Sequence, residues 1–84
     1  LRDRDRHLAR LWKPSPDWRD LDPAAAARLM TLSARRYETT RWPRERDALS
    51  APSAEPAATW WRIMRSGAPI PSADRVAQIL REIR

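Results

Sequence analysis

Residues 55–83 read EPAATWWRIMRSGAPIPSADRVAQILREI, two helical segments on either side of the chain's one glycine. Pro56 suits the first position of a helix, where the N–H it lacks would be unpaired anyway. From Trp60, Ile63 and Met64 follow at helical spacing. Gly67 falls where that helix must stop and can take the left-handed conformation that closes it. Pro69 and Pro71 then prevent continuation. Ser72 is a good N-cap for the next helix, and Asp74 puts negative charge in its first turn, where the dipole favours it. Val76, Ile79, Leu80 and Ile83 make an i, i+3, i+4, i+7 stripe, so this helix has one apolar face to bury.

Working outward, the remaining chain reads as helices separated by prolines. Leu1–Trp12 opens with alternating charge, RDRDR, and carries Leu1, Leu8, Leu11 and Trp12 as a narrow apolar stripe. It predicts an amphipathic arm docked on the body or on a second subunit. KPSP at 13–16 breaks it, and Ser15–Pro16 starts a short helix through Leu21. Asp22–Pro23 repeats that start signal for a long helix from Pro23 to about Arg41, rich in alanine. Its predicted inner face is Ala26, Leu29, Met30, Ser33 and Tyr37, with Leu32 beside it. Trp42–Pro43 ends that helix, and Pro43 begins another, PRERDALSA, turning Ala48 and Leu49 inward. Pro52 closes it. No β-branched alternation appears. The expected fold is all-α: a single domain over 1–84, a small bundle of about five helices with a helical core over 23–84 and a helix-turn-helix-like C-terminal half.

Composition bounds the function. The 84 residues carry a formal net charge of +6 and no cysteine. A basic balance on a small domain favours a polyanionic partner, although a solvated arginine-rich surface has the same composition. The absence of cysteine excludes disulfides and thiolate metal sites and suits a reducing, cytoplasmic setting. No apolar run approaches the ~20 residues of a membrane span. No catalytic set is visible: there is one histidine, His7, read as a surface residue, no glycine-rich phosphate loop and no metal-ligand spacing. The acidic residues in DRDR, RDLD and RERD sit beside arginines, as in solvated ion pairs. The chain is therefore expected to be no enzyme, with no cofactor, no metal and no small-molecule substrate.

From Leu49 to Ile83 the spacing resembles the phage-repressor-like helix-turn-helix regulators, of the Cro and xenobiotic-response-element type. Leu49–Ser50 stands where that family has Leu-Ala in its second helix. Ser53-Ala54-Glu55 stands in the turn, and Ala57–Arg65 at the recognition helix. RIMRSG is similar to the family's Arg-Ile-x-x-Gly ending, and Pro71-Ser72 with Val76, Ile79 and Leu80 to its following helix. The chain departs from the pattern at Ala54, where glycine is usual, at Pro52 in the last turn of helix two, and at Ala57–Ala58, which offer nothing to base edges. The resemblance implies a DNA-binding module of a transcriptional regulator of phage or mobile-element type, acting on duplex DNA as a homo-oligomer.

It also implies roles by face. Trp60, Ile63 and Met64 point inward and pack on Leu49, Val76 and Leu80. Thr59, Arg62 and Arg65 point outward, toward base edges or phosphates. Arg44 and Arg46 neutralise phosphates at the start of helix two. Arg62 and Arg65 fit equally an exposed helix end, where the dipole favours cations. Adjacent Trp60 and Trp61 lie ~100° apart and cannot share one core. Five tryptophans with no phenylalanine is heavy use of an interface-prone residue. Trp12 and Trp61 are thus candidates for a subunit or partner contact, or for the roof of a thin core. The alternative function is a helical interaction or assembly subunit, such as a phage packaging or adaptor component, that uses an exposed tryptophan surface.

Overall fold

The computed structural model describes residues 3–82; Leu1 and Ile83, expected on apolar stripes, lie outside them. Among the described residues five helices follow one another: α1 Asp3–Trp12, α2 Pro23–Thr40, α3 Trp42–Glu45, α4 Ala57–Arg65 and α5 Ala73–Glu82. The fold is all-α, with no strand among the described residues.

Each helix end has a local cause. The Asp22 carboxylate accepts from Ala25 N–H at 2.8 Å and caps α2, with Pro23 next to it; an unmade cap of this kind would leave helix N–H groups without partners. The Ser72 hydroxyl accepts from Arg75 N–H at 3.2 Å and caps α5. α4 is capped from one residue further back: the Glu55 carboxylate accepts from the Thr59 N–H at 2.9 Å and from its hydroxyl at 3.0 Å. Gly67, at φ +85°, closes α4, and its N–H donates to the Met64 carbonyl. Residues 16–20 form turns rather than a helix. They bury Trp18, whose carbonyl accepts from the Trp12 indole N–H at 2.9 Å.

Besides the turns at 16–20, which replace the expected short helix, two elements differ from their expected form. The segment expected to be helical over 43–51 is the single turn of α3, and residues 46–56 run without helix. One turn this short is marginal unless packing supports it, and this segment has little to bury. Leu49, expected under Trp60, Ile63 and Met64, is 100% exposed. Of the motif suggested by the sequence, α4, the closing glycine and α5 are formed, while the helix before them is reduced to α3.

The inner face of α2 is also rotated from the expected one. Ala26, Ala27, Met30, Ala34 and Tyr37 are buried, whereas Leu29 and Leu32 face solvent at 45% and 65% exposure. The reason is steric. Small side chains allow close approach, and α2 makes its most extensive pairing with α5, whose Val76, Ile79 and Leu80 fill the space.

α1 belongs to the body of the molecule. Leu8, Leu11 and Trp12 are buried, and the helix packs on both α4 and α5. The core unites these residues with Trp18, Met30, Trp60, Ile63 and the inner face of α5. At its centre the Trp18 and Trp60 rings lie 6.4 Å apart, tilted at 43°, within the range favoured by aromatic pairs. The Trp60 indole N–H donates to the Ser33 hydroxyl at 3.0 Å, so this buried ring leaves no polar atom unpaired.

Candidate nucleic-acid interface

The corner where α3 meets α4 gathers most of the arginines singled out in the sequence. α2 runs into α3 with no loop. A three-residue cluster fixes the junction: the Tyr37 hydroxyl donates to Glu45 Oε1 at 2.8 Å, and Arg41 binds Oε2 at 2.9–3.0 Å. The Arg41 guanidinium also lies 5.6 Å from the Tyr37 ring centroid. The phenol's hydrogen bond, with Arg41 beside it, holds the Glu45 carboxyl below its usual range. Burial and the same carboxylate hold the Tyr37 phenol above its own. Both effects keep the pair as neutral phenol and ionised carboxylate.

α4 attaches to this junction through one turn of its surface. The Trp61 indole N–H donates to the Glu45 carbonyl at 2.9 Å. Arg65, one turn on, lies over the Trp61 ring at 5.5 Å from its centroid. Its Nη1 donates to the Arg46 carbonyl and, at 3.3 Å, to the Ala48 carbonyl. The Arg65 side chain thus staples the irregular chain after α3 onto α4. It also brings its own charge to the backbone at Arg46.

Each residue proposed from the sequence has a definite place. Arg44, Arg46 and Arg62 are exposed, and none forms an ion pair or a side-chain hydrogen bond among the described residues. Arg65 is exposed in charge, but its Nη1 is engaged by carbonyls. The corner's remaining carboxylate is Asp47, since Glu45 is held by Arg41 and Tyr37. Arg44 lies within electrostatic reach of Glu45, but no carboxylate among the described residues forms an ion pair with Arg44, Arg46 or Arg62.

Thr59 requires a correction. It is 3% exposed, with its hydroxyl bound to Glu55, so it faces the interior and touches no ligand. The expectation failed because Thr59 lies in the first turn of α4, where its hydroxyl joins its own N–H in donating to the Glu55 carboxylate that caps the helix. Trp12 is also corrected: at 4% exposure, with its N–H on the Trp18 carbonyl, it is a core residue and offers no contact surface. Trp61 is half-buried and holds α4 to α3.

Sequence reasoning missed Tyr37, Arg41 and Glu45 as the hinge of the corner. The Arg41/Glu45 pair has i,i+4 spacing and was visible in principle. The staple from Arg65 to carbonyls 17 and 19 positions away leaves no mark in the sequence.

The chemistry elsewhere is sparse. A cavity of about 450 Å³ lies between the end of α1, the turn at Trp18, Ser33 and Glu55–Pro56. Its Ser33 hydroxyl already accepts from Trp60, and its Glu55 carboxylate holds Thr59, so it assembles no nucleophile with a base. Among the described residues no cluster of His, Cys, Asp or Glu is arranged to hold a metal, and no helix is long and apolar enough to cross a membrane. Comparison with protein-family models, curated proteins and solved structures finds no match for this chain.

Proposed function

We propose that this chain is a non-enzymatic module that grips duplex DNA by its phosphates through the α3–α4 corner. The observation that carries the reading is that Arg44, Arg46 and Arg62 are exposed and without ion pairs among the described residues, on two stretches that Trp61 and Arg65 tie together. Free guanidiniums of this kind can meet phosphate oxygens bidentately, and each contact releases counterions. With Thr59 turned inward, little at this corner besides arginine reaches toward base edges. The grip therefore reads backbone and groove shape more than sequence. The resemblance, formed only over α4, Gly67 and α5, supports a cytoplasmic regulator of phage or mobile-element type. Pairing of two copies would double the phosphate contacts along a two-fold site.

The test is fluorescence anisotropy with a labelled random duplex at several salt concentrations. If three arginines engage phosphates, affinity falls roughly 40-fold for a fourfold rise in salt. The triple change Arg44→Gln, Arg46→Gln and Arg62→Gln should flatten the dependence. Failure to bind duplex DNA at low salt refutes the proposal.

The alternative, a helical interaction subunit, loses its buried Trp12 as a contact residue. A different surface, the outer face of α2, favours it.

A further inference from the structure

The outer face of α2 sets large apolar side chains in water next to unneutralised charge. Leu32 stands near its centre, with Leu29 beside it, both exposed. The surface neighbours of a helical residue are those three and four positions away; for Leu32 they are Arg28, Leu29, Arg35 and Arg36. All three arginines are exposed, and none forms an ion pair among the described residues. Arg28 shares an open groove with Asp74 of α5, but the two do not pair. Glu38, the one acid in α2, lies about 120° around the axis from Leu32.

We infer that this face docks an acidic amphipathic helix of another protein. Its apolar side chains would cover Leu29 and Leu32, and its carboxylates would meet Arg28, Arg35 and Arg36. Charge decides the occupant. A second copy would bring three arginines against three more, with only Glu38 and Asp74 at the margins, and like charges across an interface are strongly disfavoured. A nucleic acid would neutralise the arginines but leave both leucines wet. An acidic helix lying along the face satisfies both chemistries, in the mode where spaced apolar anchors engage a partner and flanking charges fix register. None of its residues belongs to α3 or α4, although Arg36 at its edge shares a groove with Tyr37, Arg41 and Ala57.

The probe is a fluorescent peptide with leucines at i, i+3 and i+7 and glutamates on the flanking positions, titrated with the whole chain. Its scrambled counterpart keeps the charge and breaks the stripe. The peptide should bind in the micromolar range, and the scrambled one at least tenfold more weakly. Leu32→Ala should weaken binding about tenfold while leaving the circular dichroism melt unchanged. Arg35→Gln with Arg36→Gln should weaken it and reduce its salt dependence, whereas Arg62→Gln should leave it unaltered. Equal binding of the scrambled peptide, or of the Leu32→Ala chain, overturns the inference. So does a chain dimer that Leu32→Asp dissociates, which would give the face to a second copy. Duplex binding lost in the Arg35/Arg36 variant but kept in Arg62→Gln would give the face to nucleic acid and overturn the inference as well.

Discussion

Thr59 and Gly67 show how much depends on where a residue falls within a helix. Thr59 lies where its hydroxyl and N–H both meet the Glu55 carboxylate, so its polarity serves the start of α4. Thr59→Val should cost about 1 kcal/mol, the net worth of a typical intramolecular hydrogen bond, read as a lower denaturant midpoint, with DNA affinity unchanged. Gly67 acts at the other end. A Cβ there would meet nothing within 4 Å, yet φ is +85°, so the penalty is conformational rather than steric. Gly67→Ala should destabilise by about 1 kcal/mol, and Gly67→Asn, which tolerates this region better, by less. Comparing their thermal midpoints checks this. The start of α4 was read one residue early, at Pro56, without the Glu55 cap, but its end at Gly67 was legible, because a closing glycine acts within a few positions of itself. The inward turn of Thr59 was not, because its partner lies before the helix and the pattern resembled a recognition surface.

Among the helices, α2, α4 and α5 were readable from periodicity and punctuation, since each begins at a cap or proline and α2 and α4 end at a breaker. α3 was overextended. Proline at its start and apolar Ala48 and Leu49 imply a helix, but the core has no place for Leu49, and propensity alone does not hold so short a segment. Tertiary pins hold this region instead. Arg65→Met keeps the aliphatic stem and removes the donors to the Arg46 and Ala48 carbonyls. It should speed hydrogen exchange and proteolysis across residues 46–56 while the core helices keep their protection. The junction of α2 and α3 carries a pH dependence of defined sign. Glu45 is held below its usual pKa, so its contribution is present above the unfolded carboxyl value and lost as pH falls through the lower folded one. Tyr37 is held above its usual value, so its contribution is complete below the unfolded phenol value and lost as pH rises through the folded one. Tyr37→Phe should therefore reduce both the acid and the alkaline sensitivity of unfolding, measured by denaturation midpoints across pH.

For the molecule as a whole, the all-α class and helix order followed from the sequence, while the role of the first helix did not. An amphipathic segment with a thin stripe reads alike as an arm or as a wall of the core. α1 is a wall: Leu8, Leu11 and Trp12 are buried in the main cluster. Leu8→Ala should cost about 2–5 kcal/mol, a large share of the stability of so small a domain, seen as a strong drop in thermal midpoint. The candidate site was legible residue by residue as arginines, yet its convergence depends on long-range contacts that no spacing rule encodes. The alanine lining of α2 has a last consequence. Because α5 sits against Ala26, Ala27 and Ala34, that seam has no room to take on bulk, and Ala34→Leu should wedge the pair apart despite its added hydrophobicity. Leu29 and Leu32 of the same helix face outward instead. In solution this chain should therefore show more tendency to adhere to surfaces and columns than its positive charge implies, and Leu32→Lys should relieve that at no loss of folding stability.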